Sequence, residues 1–493
     1  MTLLIKNVKV LGGVKDFGDH SDVFVVGDKI SAIGTFPQKD ADLVLDGQGG
    51  YLAPGFIDVG STADHYLDIF EDPSAEHLLA QGITTIVGGQ CGFSLAPLLY
   101  GRLDMIRKWT DVDKLNIDWH TMKEFFASLK KRKMGINFAT FTGHLTVRQE
   151  LVGDADRDLT QNELAVFKKV IDGSLSHGSV GVSFGLEYSH GKGTPFKEIK
   201  MLADCVAKAN GVCAVHLRKR DKEIAEAFEE AKALAETTKV KVLVSHFSPM
   251  IGAESEYEKV LSELYDIPAE TELYLTARPF EENIVPIYFM LPGWAQKGSL
   301  EEMLASVKDE WLSSRVMKDI PQLDPEKVRV LKAVKNESLE GKSIKELMEI
   351  FGLSTFAETL RKVMITTGLR ATVTLGELDP KLLIATWKNP RTMVGTFAPK
   401  AMSSNSTLMH FLGRIEKEEL LSLEDAVWKV SGFPAKVFGF KGRGRVGEGY
   451  FADLTVFKNG EVKFTILGGN LAYRPGEKAG LFGEPKLHTK NGF

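Results

Sequence analysis

The sequence predicts an α/β protein: a (β/α)₈ TIM barrel with a small β-sandwich formed by both chain ends and a helical insertion before strand eight. Three observations lead to this fold class. Strand-like and helix-like segments alternate along most of the chain, which is typical of a parallel sheet covered by helices. Eight strand candidates can be counted, and eight strands close into a barrel that side chains can fill. Both chain ends are rich in short strands and turns.

The eight strand candidates are short, apolar and rich in β-branched residues, as strands buried on both faces should be. Helical segments separate them, and one of these, residues 221–235, carries apolar residues at helical spacing. In such a barrel the carboxyl ends of the strands meet at one face, where active sites lie. The predicted strands end near Asp58, Cys91, His144, Glu187, Arg218, Phe247, Arg278 and Phe397.

Chain length and pattern changes predict the domain boundaries. A chain of 493 residues is too long for one compact core, because single cores stop growing at roughly 250–300 residues. We expect the barrel at residues 51–429. A small β-sandwich domain is expected at residues 1–50 plus 430–493, since chain termini often lie close together. The connection before strand eight is too long for a loop, and its helical patterns predict an insertion at residues 285–375.

The composition excludes several classes of protein. Lys and Arg total 61 and Asp and Glu total 66, a net charge of -5, so the chain lacks the basic footprint of a nucleic-acid binder. No segment reaches roughly 18 uncharged apolar residues, and we expect no membrane span. Three cysteines are too few for a disulfide framework, and reduced thiols fit a cytoplasmic location. A small-molecule substrate is the expected partner, and self-association into a homo-oligomer stays open.

Three residues that can bind a metal stand at the ends of three predicted strands. Cys91 ends strand two, His216 lies at the end of strand five and His246 at the end of strand six. A catalytic zinc site has three protein ligands and an open fourth position, and sulfur and imidazole suit Zn²⁺. Each residue alone is more often structural. Their shared place at one face of the barrel predicts a site for one Zn²⁺ per chain.

Further polar residues at this face are candidates for proton transfer. His144 ends strand three, Glu187 ends strand four, and Asp64 and His65 follow strand one. Each has a structural alternative: a hydrogen bond for His144, and a salt bridge, with Arg218 as a candidate partner, for Glu187. His65 is also a candidate for a fourth metal ligand. The candidates for substrate binding are Tyr188, Arg218 and Ser248.

Nine sequence motifs are each weak evidence alone, but their order and spacing together are strong evidence for the fold. At these residues, quoted below, the chain resembles the N-acyl-D-amino-acid deacylase (D-aminoacylase) branch of the amidohydrolase superfamily over nearly its whole length. The motifs are PGFIDV at 54–59, QGITTIVGGQCGFSLAPL at 81–98, TGHLTVR at 142–148, GVSFGLEY at 181–188, VHLR at 215–218, VLVSHF at 242–247, LPGWAQKG at 291–298, LSLEDAVWKVSGFPAKVFGF at 421–440 and GRGRVGEGYFADLTVF at 442–457.

The resemblance implies a metal-dependent barrel with a β-sandwich built from both chain ends. It also implies that the family's tight metal site, made by a strand-two Cys and two His, falls on the same three residues that the strand ends indicate. These residues are Cys91, His216 and His246. The fold and the metal site are therefore predicted twice, once from the residues and once from the resemblance.

The chain departs from the family's pattern at four places, one of which is a downstream His-Pro-Arg sequence that is missing here. The family has a His-x-His pair on strand one, where Gly60 and Thr62 stand here. Its essential Asp at the end of strand eight is matched by Phe397, and a phenyl ring cannot accept a proton. Its Lys that holds the substrate carboxylate is matched by Ser248. The resemblance thus implies one metal ion in place of two and leaves the substrate undefined.

Two functions of different classes follow. The first is a mononuclear zinc amidohydrolase that cleaves an amide C–N bond of a small N-acyl or related substrate, with Glu187, His144 or the Asp64/His65 pair transferring the proton. The alternative is a catalytically degenerate amidohydrolase-fold protein that binds a ligand or a partner, because a fold does not dictate a function. A different reaction at the same site, such as deamination or isomerisation, is a third alternative.

Overall fold

The computed structural model describes residues 1–37, 39–113, 115–153, 155, 157–400 and 407–488. Its strands are β1 Thr2–Val10, β2 Ser21–Val26, β3 Lys29–Gly34, β4 Leu43–Pro54, β5 Phe56–Asp58, β6 Ile83–Gly88, β7 Asn137–Thr140, β8 Thr142–Gly143, β9 Gly181–Gly185, β10 Val212–His216, β11 Lys241–Ser245, β12 Leu273–Ala277, β13 Asn283–Pro286, β14 Val328–Ala333, β15 Ala371–Leu375, β16 Thr392–Val394, β17 Leu454–Lys458, β18 Glu461–Leu467 and β19 Asn470–Tyr473.

Helices alternate with most of the central strands along the chain. In the described ranges, none of them has both the length and the apolar character that crossing a membrane requires. They are α1 Asp68–Glu71, α2 Glu76–Leu79, α3 Met122–Arg132, α4 His144–Val152, α5 Gln161–Ser176, α6 Phe196–Lys208, α7 Ile224–Thr238, α8 Glu254–Asp266, α9 Leu300–Lys308, α10 Glu310–Asp319, α11 Ile344–Phe351, α12 Phe356–Thr367, α13 Pro380–Lys388, α14 Thr407–Glu418, α15 Leu423–Val430 and α16 Gly432–Phe438.

The central strands run parallel and follow the order of the chain. One ladder joins β5, β6 and β7, and a second runs from β8 through β9, β10, β11 and β12 to β16. β7 and β8 are the two parts of one predicted strand, separated by Phe141. Every residue of β6 is buried, as is expected for a parallel strand that is covered on both faces. The α/β class and the parallel arrangement are thereby confirmed, and each of the eight strand candidates coincides with one of these strands.

Hydrogen bonds join the ends of the first and the last central strand. The backbone N–H of Phe397 donates to the Gly60 carbonyl at 2.9 Å. The backbone N–H and the hydroxyl of Thr396 donate to the two carboxyl oxygens of Asp58 at 2.9 and 2.5 Å. Asp58 is fully buried, and this burial raises the pKa of its carboxyl. These bonds place the end of β16 beside the end of β5.

Apolar side chains fill both sides of the central strands. In one buried cluster, Phe184 packs with Phe167 of α5 and Phe228 of α7. In a second cluster, residues of the strands pack with Phe433 and Phe438, which belong to α16. This short helix therefore supplies part of the second core.

Both chain ends contribute strands to one sheet. Its order is β19-β18-β17-β4-β1-β2-β3, and Leu52 of β4 lies opposite Val456 of β17. β4 continues past residue 50 to Pro54 and leads almost directly into β5. The division into a sandwich at 1–50 plus 430–493 and a barrel at 51–429 stays a prediction. Residues 489–493 and 401–406 of these predicted domains lie outside the described residues.

The insertion before the last central strand is not only helical, so the predicted helical insertion at 285–375 requires correction. An antiparallel sheet in the order β13-β15-β14 accompanies α9 to α12. Val330, Leu360 and Val373 are buried in a core that belongs to this segment. The strands were missed because short apolar runs, such as Ala371–Leu375 directly after α12, cannot be distinguished from helix by periodicity alone.

Candidate metal centre and its cavity

A cavity of about 730 Å³ opens where the central strands end. Its volume lies in the range of small-molecule binding sites. One wall is aromatic and includes Tyr66, Trp109 and Tyr188. The insertion completes the cavity with Phe289 and Trp294. The cavity therefore combines the strand ends, where the sequence predicts the site, with side chains of the inserted segment.

Three buried side chains that can bind a metal meet in this cavity. The ligand atoms of Cys91, His216 and His246 all lie within 4.8 Å of one another, and Cys91 Sγ is 2.8 Å from His246 Nε2. His216 is the last residue of β10, Cys91 follows β6 and His246 follows β11. The structure thus brings together all three predicted ligands. Three sulfur and nitrogen ligands with a free side facing a cavity are the set that a catalytic zinc ion uses.

The backbone at two of these residues is unusual. Cys91 has a φ of 57° and His246 a φ of 55°, a left-handed conformation that is uncommon for residues other than glycine and that clusters at functional sites. Neighbouring groups hold it in place. Asp64 Oδ2 accepts a hydrogen bond from Gly89 N at 2.6 Å, and the N–H of His246 donates to the Thr276 hydroxyl at 3.2 Å. These contacts fix the turns that direct both ligands toward one point.

Burial sets the protonation of the three ligands. It lowers the pKa of His246 well below the usual value, an effect that Arg278 strengthens. Burial also lowers the pKa of His216, although Glu187 opposes this shift. Neutral imidazole is the form that binds metals. Burial raises the pKa of the Cys91 thiol to about 12, so this proton leaves only when a cation takes its place. The donor chemistry of the site fits Zn²⁺.

Glu187 is held in an ion pair behind His216. Its Oε2 lies 2.7 Å from His216 Nε2 and 2.6 Å from Arg220 Nε. Although burial opposes ionisation, Arg220 and His216 lower the pKa of this carboxyl to about 2. The salt bridge that the sequence offered as the alternative exists, but its partner is Arg220 and not Arg218. A carboxylate that bonds one ring nitrogen orients a metal-binding histidine.

The three residues predicted to bind substrate have different surroundings. Tyr188 lines the cavity, and its hydroxyl is 3.3 Å from His216 Nδ1. Arg218 forms a two-point ion pair with Glu230 at 2.7 and 3.0 Å, and it is Arg220 that lines the cavity. Ser248 is buried, and its hydroxyl lacks a hydrogen-bond partner among the described residues. The structure therefore places only Tyr188 at the cavity wall.

His144 lies in a separate polar cluster at the start of α4. Its Nε2 is 2.7 Å from Glu198 Oε1, which also accepts a hydrogen bond from Arg148 Nε at 3.2 Å. The ring stacks on Phe167 with 5.4 Å between the centroids. His144 is fully buried, and its contacts are those of the structural alternative that the sequence left open.

His65 and Asp64 are adjacent and differ in exposure to the cavity. His65 lines it, and its Nε2 is 3.3 Å from the Phe93 carbonyl. Because a carbonyl only accepts, Nε2 carries the proton, and Nδ1 of the neutral ring is an acceptor. This Nδ1 has no hydrogen-bond partner in the described part of the chain. Asp64 Oδ1 lies 4.0 Å from His65 Nε2, while Oδ2 holds the loop that carries Cys91.

Phe397 fills the corner of the cavity between β5 and β16. Its ring centroid is 4.1 Å from that of His246. A Cβ on Gly60 would lie 2.5 Å from the ring atoms Cε2 and Cζ of Phe397, so this ring occupies the space of any side chain at residue 60. The Thr62 hydroxyl donates to the Ala398 carbonyl at 3.1 Å. The two strand-one positions that hold histidines in the family thus offer no imidazole here.

Arg278 is a residue of the site that sequence reasoning did not select. It is 2% exposed, lines the cavity and donates to the Phe397 carbonyl at 2.8 Å. Its Nη2 is 3.1 Å from His246 Nδ1. Burial lowers the pKa of its guanidinium to about 10, which leaves it charged at neutral pH. Its position at the end of a predicted strand was the signal that could have identified it.

Several known proteins are similar to this chain in sequence or in fold. No family model matches the chain. A D-aminoacylase and an N-acyl-D-glutamate deacylase of Alcaligenes xylosoxydans xylosoxydans are 25% and 27% identical to it, over 92% and 93% of this chain and 87% of each relative. The structure of an N-acyl-D-glutamate deacylase from Bordetella bronchiseptica, complexed with zinc and a phosphonate inhibitor, is similar with a TM-score of 0.79 at 21% identity, over 98% of this chain and 99% of that chain. The predicted resemblance to D-aminoacylases is confirmed.

Proposed function

Since the chain resembles D-aminoacylases along most of its length, we propose that it is a metal-dependent amidohydrolase that cleaves an amide C–N bond of a small N-acyl or related substrate. The observation that carries the proposal is the meeting of Cys91, His216 and His246 within 4.8 Å at the wall of a cavity of about 730 Å³. These residues would hold Zn²⁺, which, when bound, polarises a carbonyl and activates water.

We expect one metal ion per chain. A second ion would need ligands on the side of the cavity formed by β5 and β16. There the Phe397 ring fills the space beside Gly60, and Thr62 is hydrogen-bonded to a backbone carbonyl. A phenyl ring offers no lone pair to a cation such as zinc, and a hydroxyl is a weak ligand for it.

Among the four predicted candidates, His65 is the residue to which we assign proton transfer. Its unpartnered Nδ1 belongs to a ring that lines the cavity. Glu187 is occupied by Arg220 and His216, and His144 by Glu198. Asp64 supports the site by holding the Cys91 loop. Tyr188 is the proposed substrate contact, while Arg218 and Ser248 stay predictions.

The finer features of the fold belong to the same proposal. We infer that the central strands close into a (β/α)₈ barrel, which the hydrogen bonds between Phe397 and Gly60 and between Thr396 and Asp58 support. We also infer that the sheet built from both chain ends folds as a β-sandwich next to this barrel.

One observation favours the second function, a protein that binds a ligand without turning it over. The position that the family fills with an essential Asp is Phe397, which packs on His246. Loss of a general base lowers a rate by roughly 10²–10⁴. Under this alternative the protein keeps the cavity and the metal site but does not catalyse hydrolysis.

Metal content and hydrolysis measured together test both functions. Zinc would be measured by elemental analysis in the wild type, in His216→Ala and in the control His177→Ala, whose side chain is exposed. Hydrolysis of the D- and L-enantiomers of N-acyl amino acids would then be assayed. About one zinc per chain, lost only in His216→Ala, together with zinc-dependent hydrolysis, is the expected result. Zinc without hydrolysis would favour the binding function, and a folded protein that takes up no zinc would contradict the metal site.

A further inference from the structure

A second pocket lies near the start of β16, away from the large cavity at the carboxyl ends of the strands. Its volume is about 370 Å³, and Trp428 of α15 is part of its wall. The next residue anchors this helix, because Lys429 Nζ donates to the carbonyls of Asn389 and Thr392 at 2.7 and 3.2 Å. Thr392 is the first residue of β16. No described residue lines both pockets, so the second pocket is a separate site.

The wall of the second pocket is basic. Four cationic side chains line it, and its described lining residues include no carboxylate. The four are Lys436, Lys441, Arg443 and Arg445. Arg443 is paired with Asp453, whereas Lys436 is exposed and Arg445 Nη1 lies 3.5 Å from the uncharged Gly13 carbonyl. A wall with an excess of one charge attracts ligands of the opposite sign, so this pocket favours an anion.

Glycines keep part of this wall free of side chains. Gly432, Gly439 and Gly442 line the pocket. Gly439 has a φ of 76° and Gly442 a φ of 68°, a conformation that glycine adopts at little cost. A Cβ on Gly432 would clash with the Trp428 ring. The bare backbone at these positions allows a ligand to approach the main chain closely.

A flat aromatic surface lies beside the cations. The half-buried Trp428 indole is parallel to the Phe433 ring, with 3° between the planes and 6.1 Å between the centroids. The guanidinium carbon of Arg445 lies 5.1 Å from the centroid of the indole, and Tyr450 is a further ring of the wall. Nucleobases and similar flat rings stack on aromatic side chains and on guanidinium planes. This surface therefore suits a planar ring.

We propose that the second pocket binds a phosphorylated compound with a planar ring, of the size of a nucleoside monophosphate. A phosphate group carries a charge of about -1.5 to -2 and three acceptor oxygens, which several cations can share. The volume of about 370 Å³ lies in the range of small-ligand pockets. The basic side chains bind the phosphate, and the ring lies against Trp428 and Tyr450. The inference goes beyond the proposed function, because the pocket is separate from the metal centre.

Binding of adenosine 5′-monophosphate (AMP), adenosine and inorganic phosphate tests the proposal by calorimetry on the full-length protein. The measurement is made as purified and after removal of metal with a chelator, because a phosphate can also bind a metal ion. We expect AMP to bind at least about tenfold more tightly than adenosine, which lacks the charge. AMP should also bind at least about fivefold more tightly than phosphate, which cannot stack. Equal binding of AMP and either compound, or an affinity for AMP that disappears with the metal, would overturn the proposal.

Variants locate the site. The double variant Lys436→Ala/Arg445→Ala should weaken AMP binding at least about tenfold. The matched control is Arg315→Ala/Lys318→Ala, which also removes two exposed cations, one of which lies 4.6 Å from the ring centroid of Trp294 in the large cavity. The control should leave the affinity unchanged. Weaker binding in the control, with the double variant unaffected, would place AMP in the large cavity and contradict the second site.

A further variant tests the planar ring. Trp428→Leu should remove the preference for AMP over inorganic phosphate and keep the affinity for phosphate. A preference that persists in a folded Trp428→Leu protein would contradict the stacking. Circular dichroism checks folding, and the double variant of exposed residues still tests the site if Trp428→Leu fails to fold.

A ten-residue oligoadenylate distinguishes a free nucleotide from a nucleic acid, which carries the same phosphate and base. The net charge of -5 opposes binding of a long polyanion, so we expect the oligonucleotide to bind no more tightly than AMP. Binding more than about tenfold tighter than AMP, lost in the double variant, would overturn the proposal of a small ligand. No measurement requires turnover, so the proposed function and this second site stand or fail separately.

Discussion

The two sides of the cavity differ in what their strand ends present. The side formed by β6, β10 and β11 presents Cys91, His216 and His246, with supporting groups behind them. The side formed by β5 and β16 presents an aromatic ring packed into the space above Gly60. Both sides lie at the ends of the parallel central strands. One side of the cavity can therefore carry side chains that bind a metal while the other side is packed with apolar groups.

The comparison also shows that the apolar side is built from interdependent residues. Phe397 fits only because residue 60 has no Cβ, since a Cβ there would lie 2.5 Å from the ring. The ligands of the other side stand on three different strands, and each is held by its own neighbours, such as Glu187 behind His216. Changes on the two sides should therefore have separate effects on metal binding and on stability.

The largest effect is expected from Cys91→Ala, which removes one of three metal ligands. Loss of a residue that only supports a ligand lowers metal affinity by about 10–100-fold, so loss of the ligand itself should lower it by more than ~100-fold. The matched control is Cys205→Ala, since Cys205 is also buried and free but belongs to α6 and not to the three clustered side chains that can bind a metal. Zinc content measured after dialysis checks the prediction. Equal zinc in both variants would refute the site.

His65→Ala should reduce hydrolysis and leave zinc in place. If Nδ1 of this ring transfers the proton, the turnover rate should fall by roughly 10²–10⁴, with zinc content unchanged. His144→Ala serves as the comparison, because His144 is bound to Glu198 away from the cavity wall. Rates and zinc content would be measured on the same samples. A larger loss of turnover in His144→Ala than in His65→Ala would indicate that His144, and not His65, transfers the proton.

Gly60→Ala should destabilise the protein by about 1–3 kcal/mol, because the added methyl group overpacks against the Phe397 ring. The control is Gly173→Ala in α5, where no atom lies near the added carbon and an alanine should stabilise by about 0.5–1 kcal/mol. Urea unfolding measures both. In a Phe397→Ala background the penalty of Gly60→Ala should disappear. A penalty that persists there would show that the ring is not its cause.

The smallest effect is expected from Glu187→Gln and should depend on pH. The pKa of Glu187 is lowered from 4.5 to about 2, so its contribution to stability is complete above pH 4.5 and is lost as the pH falls toward 2. We expect the wild type to exceed the variant by about 1–2 kcal/mol at neutral pH, since one third of the side chain is exposed and solvent screens the pair.

Unfolding of zinc-free protein by urea at several pH values between 2 and 7 measures this difference between the wild type and Glu187→Gln. The difference should shrink on the acidic side. A constant difference across this range would mean that the ion pair with Arg220 does not determine the stabilisation.

The sequence predicted the elements whose signals are local. Short apolar runs marked the central strands, and the residues at their ends marked Cys91, His216 and His246. What it missed depends on contacts between distant residues. Three such contacts each join different strands or loops. They are the ion pair of Glu187 with Arg220 in place of Arg218, the contact of Phe397 with Gly60 and the hydrogen bond of Arg278 to the Phe397 carbonyl. Strand β15 of the insertion was missed because its short apolar run directly after α12 cannot be distinguished from helix by periodicity alone.

The pairing of β4 with β17 has a consequence for how the chain is made. Leu52 leaves the ribosome early, but its partner Val456 is synthesised some 400 residues later. Phe433 and Phe438, which pack with residues of the central strands, are also synthesised late. Contacts between such distant residues form slowly because long segments must be brought together. The core of the central strands therefore stays incomplete until the last part of the chain has been synthesised. A chain that is terminated early should be unable to complete its folding.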